Sequence, residues 1–393
     1  MDRKRPMLTY LILSGSAALL LVAVLVSPRL GRSLPSLLPT VAKPSPPPAQ
    51  RPQVEMVFAL DTTGSMRALL QGAKKKIWEI VRFAAQGQPA PELRIGLVGY
   101  RDLRDEYVTR FYDLTDDLDA VYQNLSAFTA SGGGDTPEHV AKALHEAVHR
   151  SSWSQGPHVL RIVYLVGDAP PHTDYRDGFD HRAIALQARE RGIRINTIRC
   201  GTSYETELAW TEIAGLAGGE FASIDQSGGM VDVSTPFDEE MARLNRQLTE
   251  TALGYGSAAE RSAFHAKAEA AMAAPLMVQA ERAGFFGLLK GRGKTAAISG
   301  GDLLEDVATR RVDLDKIDAA ALPEELRTMS TEERKAFVAQ KAHERARILE
   351  AINALSRKRD AYLKAHQATA SSSFDAKVRA TLKKQAADIG IDY

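Results

Sequence analysis

Cysteine is almost absent from this sequence of 393 residues, in which Cys200 is the only one. A single cysteine excludes an internal disulfide and every metal site built from several thiolates. The sequence also lacks a surplus of charge, because 50 lysine and arginine residues face 49 aspartate and glutamate residues. The basic residues are scattered along the chain, so we do not expect nucleic acid as a partner. Any metal must therefore lie on oxygen or histidine ligands.

The start of the chain predicts a membrane anchor. Arg3, Lys4 and Arg5 precede residues 7–26, which are uncharged and largely apolar. A helix needs about 20 such residues to cross a bilayer. A cleaved signal peptide is the alternative, but it usually has only about 7–15 apolar residues and a small-residue cleavage site. We predict an uncleaved single-pass anchor over residues 1–27, with the positive cluster inside and the later residues on the outer, periplasmic or extracellular, side.

The middle of the chain predicts an α/β domain. Residues 28–53 are rich in proline and are expected to form an extended linker. Short apolar runs then alternate with helical periods, which predicts buried strands at residues 56–60, 93–98, 159–166 and 193–198. Residues 107–114 are predicted to form an edge or antiparallel strand. The expected fold is a doubly wound, mostly parallel, Rossmann-like sheet flanked by helices, over residues 54–256.

The composition changes beyond residue 256 toward alanine, glutamate, lysine and arginine. We predict an all-helical C-terminal region over residues 257–393. Ser330 and Glu333 form a capping box at the start of a long amphipathic helix, and a further helix is predicted between Ser373 and Gly390. These helices are expected to pack on each other or on the α/β domain.

Three loops at predicted strand ends carry oxygen-bearing side chains. The first strand is followed by Asp61, Thr63 and Ser65, a later glycine-rich loop leads to Thr136, and Asp168 ends another strand. Open α/β sheets bind ligands at the carboxyl ends of their strands, so these side chains are expected to meet. The alternative to a shared ligand site is that each loop has only a local structural role.

In that structural alternative, each loop serves only to end or begin a local element. Asp61 and Ser65 would cap the next helix, Asp135 with Glu138 would form a capping box, and Asp168 would start a turn. Three unrelated caps need not fall at adjacent strand ends of one sheet. We therefore favour a shared ligand site.

The pattern D-x-T-x-S, a later glycine-rich loop with threonine and a strand-terminal aspartate resemble the metal-ion-dependent adhesion site of von Willebrand factor A domains. The resemblance covers about residues 54–253 and is closest to the bacterial membrane-anchored type. It implies a metal site for Mg²⁺ or Mn²⁺, hard cations that take about six oxygens. The ligands that it implies are Asp61, Thr63, Ser65, Thr136 and Asp168. Serine is commoner in the family at the second position, where Thr63 keeps the hydroxyl.

Two further segments resemble a narrower group. Residues 99–102 and 134–138 are similar to a branch of bacterial A-domain proteins and to the A domain that precedes some atypical alpha-kinases. The C-terminal region lacks the glycine-rich loop and the cysteines of such kinases, so kinase activity is not implied.

The implied function is binding rather than catalysis. A cation with few bound carboxylates stays under-neutralised, so an Asp or Glu of a protein partner can complete its coordination. We therefore predict a metal-dependent protein-binding module for adhesion or scaffolding, which is not an enzyme. Asp102, Asp135 and His172 are expected beside the site or at its rim, and residues 132–134 are expected to move as Thr136 engages.

Residues 145–149 present a rival motif. His145, Glu146 and His149 satisfy the H-E-x-x-H pattern of zinc metallopeptidases. The buried stripe of that helix is predicted to turn both histidines toward solvent, and no third ligand is evident.

Two further alternatives concern the C-terminal region. The helical tail itself could be the interaction element, with the A-like domain as a spacer. A membrane surface is the other possible contact, through the apolar residues Phe285, Phe286, Leu288 and Leu289 beside the basic residues Lys290, Arg292 and Lys294.

Overall fold

The computed structural model of the chain describes residues 51–134, 136–366 and 372–393. The predicted anchor at residues 1–27 and residues 28–50 of the linker lie outside them. Among the described residues, no helix combines the length and apolar character that a bilayer crossing requires. The anchor therefore stays a prediction.

Six strands form one sheet in the order β3-β2-β1-β4-β5-β6. All neighbours pair in parallel except β2 and β3, which are antiparallel at the edge. The strands are β1 (Gln53–Asp61), β2 (Glu92–Tyr100), β3 (Thr109–Thr115), β4 (Val159–Gly167), β5 (Ile193–Cys200) and β6 (Phe221–Ile224). The predicted parallel sheet and its antiparallel edge strand are confirmed. Strand β6 was not predicted, because its four residues are mostly half-buried and too short for a clear pattern.

Helices cover both faces of the sheet. In the α/β part they are α1 (Arg67–Ala85), α2 (Leu118–Ala127), α3 (Val140–His145, continued by a π-helix at Glu146–Arg150), α4 (His181–Glu190), α5 (Tyr204–Leu216) and α6 (Asp238–Glu250). The side chains of β1 explain this arrangement. Met56 and Phe58 pack on the face of α1, whereas Val57 and Ala59 pack on the face of α3, α4 and α5. Alternate residues of a strand point to opposite faces, so both faces must be covered.

The C-terminal region is helical, as predicted. Its helices are α7 (Ala258–Ala273), α8 (Leu276–Lys290), α9 (Leu303–Ala308), α10 (Glu324–Arg327), α11 (Thr331–His366) and α12 (Phe374–Ala386), with short 3₁₀ turns at Leu314–Lys316, Ala319–Ala321 and Ala387–Ile389. The predicted capping box is present, because Ser330 and Glu333 exchange hydrogen bonds of 2.7 and 3.3 Å. Gly390, at φ 78°, ends the last helical turn.

These helices share a core with the sheet. Helix α8 packs on α1 and α6, and α12 packs on α1. Leu349 of α11 and Val378 of α12 are fully buried in the same hydrophobic cluster as Phe58 of β1. All described residues fall in one compact unit. The boundary near residue 256 stays a prediction about domain organisation.

Buried ion pairs join the two regions. Arg282 of α8 is fully buried and donates to Asp119 of α2 at 2.7 Å. Arg359 of α11 donates to Asp238 at 2.7 Å and to Glu281 at 2.5 Å. Removing one partner of such a pair strands a charge in the core, so these contacts hold the helices in one arrangement.

The suggested membrane contact of Phe285 and Phe286 is wrong. Both rings lie on α8, are 3% and 1% exposed, and pack against Trp78 of α1. Their apolar surface is used within the core, so it is not available to lipid.

Candidate functional site

Asp61 and Asp168 lie side by side at the carboxyl edge of the sheet. Asp61 is the last residue of β1, and Asp168 follows the last residue of its parallel neighbour β4. Gly167 permits the close approach, because a Cβ atom at that position would lie 3.1 Å from Asp61 Oδ2. The fold therefore brings together two carboxylates that are separated by more than a hundred residues of sequence.

Thr63 donates two hydrogen bonds to one oxygen of Asp61. The Thr63 backbone N–H and the Thr63 hydroxyl donate to Asp61 Oδ1 at 2.8 and 2.6 Å. The hydroxyls of Thr63 and Ser65 are 3.3 Å apart. Asp61 Oδ2 is buried and has no hydrogen-bond partner in the described part of the chain. A buried carboxylate oxygen without a hydrogen-bond partner lowers the stability of the fold. A bound ligand would supply the partner that this oxygen lacks.

The electrostatics of this pair favour a cation. Burial raises the pKa of the Asp61 carboxyl to about 7, and the negative charge of Asp168 adds to the rise. Hydrogen bonds from Thr63 oppose it. A positive ion between the two carboxylates would remove the cost that the charge of Asp168 imposes on ionised Asp61.

Asp168 is held by the first turn of α5 and by the segment after β6. Its backbone carbonyl accepts from the Thr206 hydroxyl at 2.9 Å. Its side-chain Oδ2 accepts from Gln226 Nε2 at 2.6 Å. Gln226 was not anticipated, since a glutamine after a short unpredicted strand carries no local signal. Its amide donates a hydrogen bond to one carboxylate oxygen of Asp168, which is a predicted metal ligand.

Thr136 lies on the glycine-rich loop beside this edge. Gly132 and Gly133 adopt left-handed conformations with φ of 78° and 76°. The Gly132 carbonyl accepts from Gly64 N at 3.1 Å, which ties the loop to the segment after β1. The Thr136 side chain is exposed, and no hydrogen bond joins it to another predicted ligand among the described residues. Asp135 lies outside the described residues.

Asp102 and His172, the predicted rim residues, contact each other through Tyr175. The Tyr175 hydroxyl donates to both Asp102 oxygens, at 2.8 and 2.6 Å. The His172 ring stacks on Tyr175 with centroids 4.0 Å apart, and its Nε2 is 3.7 Å from Asp102 Oδ2. The side chains of Asp102 and His172 thus share one packed cluster with Tyr175. Tyr175 was not identified from the sequence.

Glu138 is the acidic residue whose position the sequence did not reveal. It is 3% exposed, and its Oε2 has no hydrogen-bond partner in the described regions. Burial raises its pKa to about 9, and the negative charges of Asp61 and Asp102 add to the rise. A capping box with Asp135 was the structural alternative, but the side chain that caps α3 is His139, which accepts from Lys142 N.

The structural alternative for the first loop has no support either. The short 3₁₀ turn Gly64–Met66 and helix α1 both begin without a side-chain cap. Asp61 and Ser65 therefore do not serve as helix caps. Among the described residues, the hydrogen bonds that Asp61 accepts come from Thr63 in its own loop.

A hard cation fits this donor set. Two carboxylates and two hydroxyls meet at one edge, and an unpartnered carboxylate oxygen lies among them. Oxygen ligands of this kind suit Mg²⁺ and Mn²⁺. No cluster of three or more His, Cys, Asp or Glu residues placed to hold a metal is found within the described ranges. The metal role of these residues stays a prediction.

The H-E-x-x-H segment is engaged in structural contacts. The rings of His145 and His149 lie on one side of the helix, with centroids 4.9 Å apart. His149 bonds to Gln187 at 2.8 Å through Nε2 and accepts from Arg191 at 3.1 Å through Nδ1. Glu146 is buried and pairs with Arg150 and Lys142. Both ring nitrogens of His149 already have partners, so zinc could bind only after one of these bonds breaks.

Comparison with known proteins agrees with this fold. Residues 55–213 match the family model described as von Willebrand factor A domain. The von Willebrand factor A domain-containing protein 7 of Rattus norvegicus is 31% identical over 144 residues, which cover 37% of this chain and 14% of that protein. The chain therefore matches only a small part of the length of this curated relative.

Two solved structures are more distantly similar. BatB from Bacteroides thetaiotaomicron is 19% identical over 44% of this chain and 90% of its own, with a TM-score of 0.34. Proximal thread matrix protein 1 from the mussel byssus, in a form described as having a zinc-occupied MIDAS motif, is 15% identical over 44% of this chain and 42% of its own, also with a TM-score of 0.34. The family match over residues 55–213, together with the sheet order and flanking helices described above, shows a fold like that of von Willebrand factor A domains.

Proposed function

We propose that the domain is a divalent-metal-dependent protein-binding module. Von Willebrand factor A domains generally mediate protein interactions, and the oxygen-rich edge of the sheet is the natural contact surface. The observation that carries the proposal is the pair of Asp61 and Asp168, with Asp61 Oδ2 buried and unpartnered. Thr63, Ser65 and Thr136 would supply neutral oxygens to Mg²⁺ or Mn²⁺.

The partner is proposed to be a protein that offers an Asp or Glu side chain. Unit charges about 4 Å apart interact by about 4 kcal/mol at an effective dielectric of 20, and a divalent ion roughly doubles that before desolvation. One carboxylate can therefore dominate the affinity. Exposed Ser65 and Thr136 leave the outer side of the edge open to such a group. No bond is broken in this role, so we propose binding without catalysis.

Capture of partners with and without metal tests this proposal. The full chain in detergent would be immobilised and offered membrane extract with Mg²⁺, with Mn²⁺ or with a chelator. We expect chelation to release specific proteins and an added peptide rich in Asp and Glu to compete with them. Asp168→Ala should lose the same proteins while it keeps the fold, because the backbone bond to Thr206 remains and only the side-chain bond to Gln226 is removed.

Asp388→Ala is the matched control. Asp388 pairs at 2.6 Å with Arg194, near the start of β5 and hence at the opposite edge of the sheet. The Asp388→Ala variant should capture the same proteins as the unmodified chain. Equal capture by Asp168→Ala, or capture that ignores the chelator, would refute the proposal.

We also propose that residues 1–27 anchor the domain in a membrane, with the domain on the outer side. The basis is the sequence pattern of the first 27 residues alone. Extraction of membranes with alkaline carbonate should leave the full chain in the pellet and release a chain that begins at residue 28. Release of both would exclude the anchor.

The helical tail is the second candidate for the interaction element. Its support is weaker, because Leu349, Ile352, Phe374 and Val378 are already buried in the core that they share with the sheet. Exposed surface variants on α11 that abolish capture, with metal binding intact, would favour it.

A further inference from the structure

A cavity of about 140 Å³ lies where the C-terminal helices meet the α/β domain. Glu92 and Leu93, the first residues of β2, line one side of it, and the end of α8 with the loop that follows lines the other. The parallel strands β1 and β2 begin at this edge, whereas Asp61 and Asp168 lie where their strands end. The cavity is therefore at the opposite edge of the sheet from the candidate metal site.

Part of the cavity wall is apolar. It includes Phe285, Phe286 and Leu289 of α8 and Leu118 of α2. A dry apolar cavity of about 150 Å³ can hold benzene, so this one has room for a small ring or a branched aliphatic chain. Lys294 is an exposed residue of the lining, which shows that the cavity reaches the surface.

Glu305 brings an acidic group to the cavity. Its side chain is buried, and its Oε2 accepts from the backbone N–H and the hydroxyl of Thr295 at 2.6 and 2.8 Å. Its Oε1 has no hydrogen-bond partner among the described residues. Arg311 Nη2 lies 3.8 Å from this oxygen, and the same guanidinium is 3.2 Å from Asp306. Glu305 Oε1 is thus able to accept a hydrogen bond from a cationic group of a ligand.

Arg292 brings a positive group to the same cavity. It is half-buried, and its guanidinium makes no hydrogen bond or ion pair within the described ranges. Burial lowers the pKa of Arg292, the positive charge of Arg51 lowers it further, and Tyr393 opposes both. Arg51 also lines the cavity. A guanidinium that lacks an acidic partner suits a carboxylate, which it can bind through two parallel hydrogen bonds.

The other buried acids of the lining already have partners. Asp302 accepts from Arg345 at 2.7 and 3.2 Å. Asp306 accepts from the Tyr255 hydroxyl at 2.8 Å and pairs with Arg311. One carboxylate oxygen and one guanidinium therefore remain available, and they have opposite charges. A ligand with a single charge would satisfy one of these groups and leave the other without a partner.

We propose that this cavity binds a free α-amino acid with an apolar side chain. The ammonium group donates to Glu305 Oε1, the carboxylate accepts from Arg292, and the side chain packs against Phe285, Phe286 and Leu289. This inference does not depend on the proposed metal binding, because the cavity lies at the other edge of the sheet.

Calorimetric titration of the full chain in detergent with L-leucine tests this inference. Two analogues keep the branched chain and lose one charge each: 4-methylpentanoate lacks the ammonium group, and 3-methylbutylamine lacks the carboxylate. Each analogue should bind at least about tenfold more weakly than L-leucine, because it loses hydrogen bonds between charged groups. No binding of L-leucine, or equally tight binding of either analogue, would overturn the inference.

Two variants assign each charge to its residue. Arg292→Met should weaken the binding of L-leucine and 4-methylpentanoate at least about tenfold and leave 3-methylbutylamine unchanged. Glu305→Gln should weaken L-leucine and 3-methylbutylamine and leave 4-methylpentanoate unchanged. Arg182→Met, which removes an arginine paired with Glu212 on the surface, is the control and should bind all three compounds as the unmodified chain does.

Thermal unfolding without ligand shows whether these variants keep the fold. Glu305 also binds Thr295, so Glu305→Gln could lower the melting temperature. Arg292 has no such side-chain bond to lose in the described regions, so Arg292→Met should melt at the temperature of the unmodified chain. If Arg292→Met is folded and binds L-leucine as tightly as the unmodified chain, the inference is wrong, whatever the result for Glu305→Gln.

Discussion

Gln226 Nε2 donates a hydrogen bond of 2.6 Å to Asp168 Oδ2, and the same nitrogen lies 3.4 Å from the carbonyl of Ser65. One amide thus contacts two residues that are predicted to bind the cation. Because the amide donates to the carboxylate oxygen that a cation would seek, Gln226 and the cation are expected to compete for Asp168.

Gln226→Ala should therefore strengthen metal binding. A hydrogen bond of this kind is worth about 1 kcal/mol, so the affinity for Mn²⁺ should rise roughly fivefold. Calorimetric titration measures the change directly. Gln187→Ala is the control, because Gln187 lies on α4 and its amide oxygen contacts His149 rather than a predicted ligand. Unchanged or weaker binding in Gln226→Ala would show that the amide does not compete.

Metal binding should order the glycine-rich loop. Gly132 and Gly133 are held by one bond to Gly64 and by the Asp105 carboxylate, which accepts from Gly133 N at 3.1 Å. Engagement of Thr136 is expected to add a contact and to shift this loop. Hydrogen exchange of residues 131–138 should slow when Mg²⁺ is added, whereas α11 should be unaffected. Thr136→Ala should remove the change, and equal slowing in that variant would contradict the role of Thr136.

The buried pair of Arg282 and Asp119 should contribute strongly to stability. Arg282 also donates to Asn245 at 2.8 Å, and Asp119 accepts from Ser299 N at 2.8 Å. Arg282→Met strands the Asp119 charge in the core, so the free energy of unfolding should fall by about 3–5 kcal/mol in urea denaturation. Arg182→Met is the control, since Arg182 pairs with Glu212 at the surface and should matter little. Similar losses in both variants would contradict the role of burial.

The contact between α1 and α12 should weaken in acid. Burial alone would raise the pKa of Glu79, but the positive charges of Lys76 and Arg379 outweigh it and lower that pKa below 4.5. A lowered folded-state pKa means that Glu79 stabilises the fold above 4.5 and that this contribution is lost as the pH falls through the folded-state pKa.

Glu79→Gln should accordingly melt at a lower temperature than the unmodified chain at neutral pH. Its disadvantage should vanish as the pH falls below 4.5, because the unmodified chain then loses the same contribution. Thermal unfolding across this range measures both. Glu344→Gln, at an exposed pair with Lys341 on α11, should show little effect. A constant difference at every pH would contradict the assignment to Glu79.

Much of the fold could be predicted because its signals are local. The runs that became β1, β2 and β4 are mostly apolar, the start of α12 follows from its N-cap Ser373, and Gly390 ends the 3₁₀ turn after that helix. Strand β6 could not be predicted, because its burial comes from pairing with β5 rather than from its own four residues. The predicted membrane contact of Phe285 and Phe286 was wrong for a similar reason. An apolar pair of residues does not by itself show whether protein or lipid covers it.

The sequence by itself determined the alternation of strands and helices, the chemistry of Asp61, Thr63, Ser65 and Asp168, and the helical character of the tail. These properties depend on residue type and on spacing within one element. Only the tertiary structure decided that Glu138 and Gln226 meet this edge and that Arg282 and Asp119 form a buried pair. Such contacts join residues far apart in the chain, and they arise because close packing and the avoidance of unpaired buried charge select one arrangement of the whole molecule.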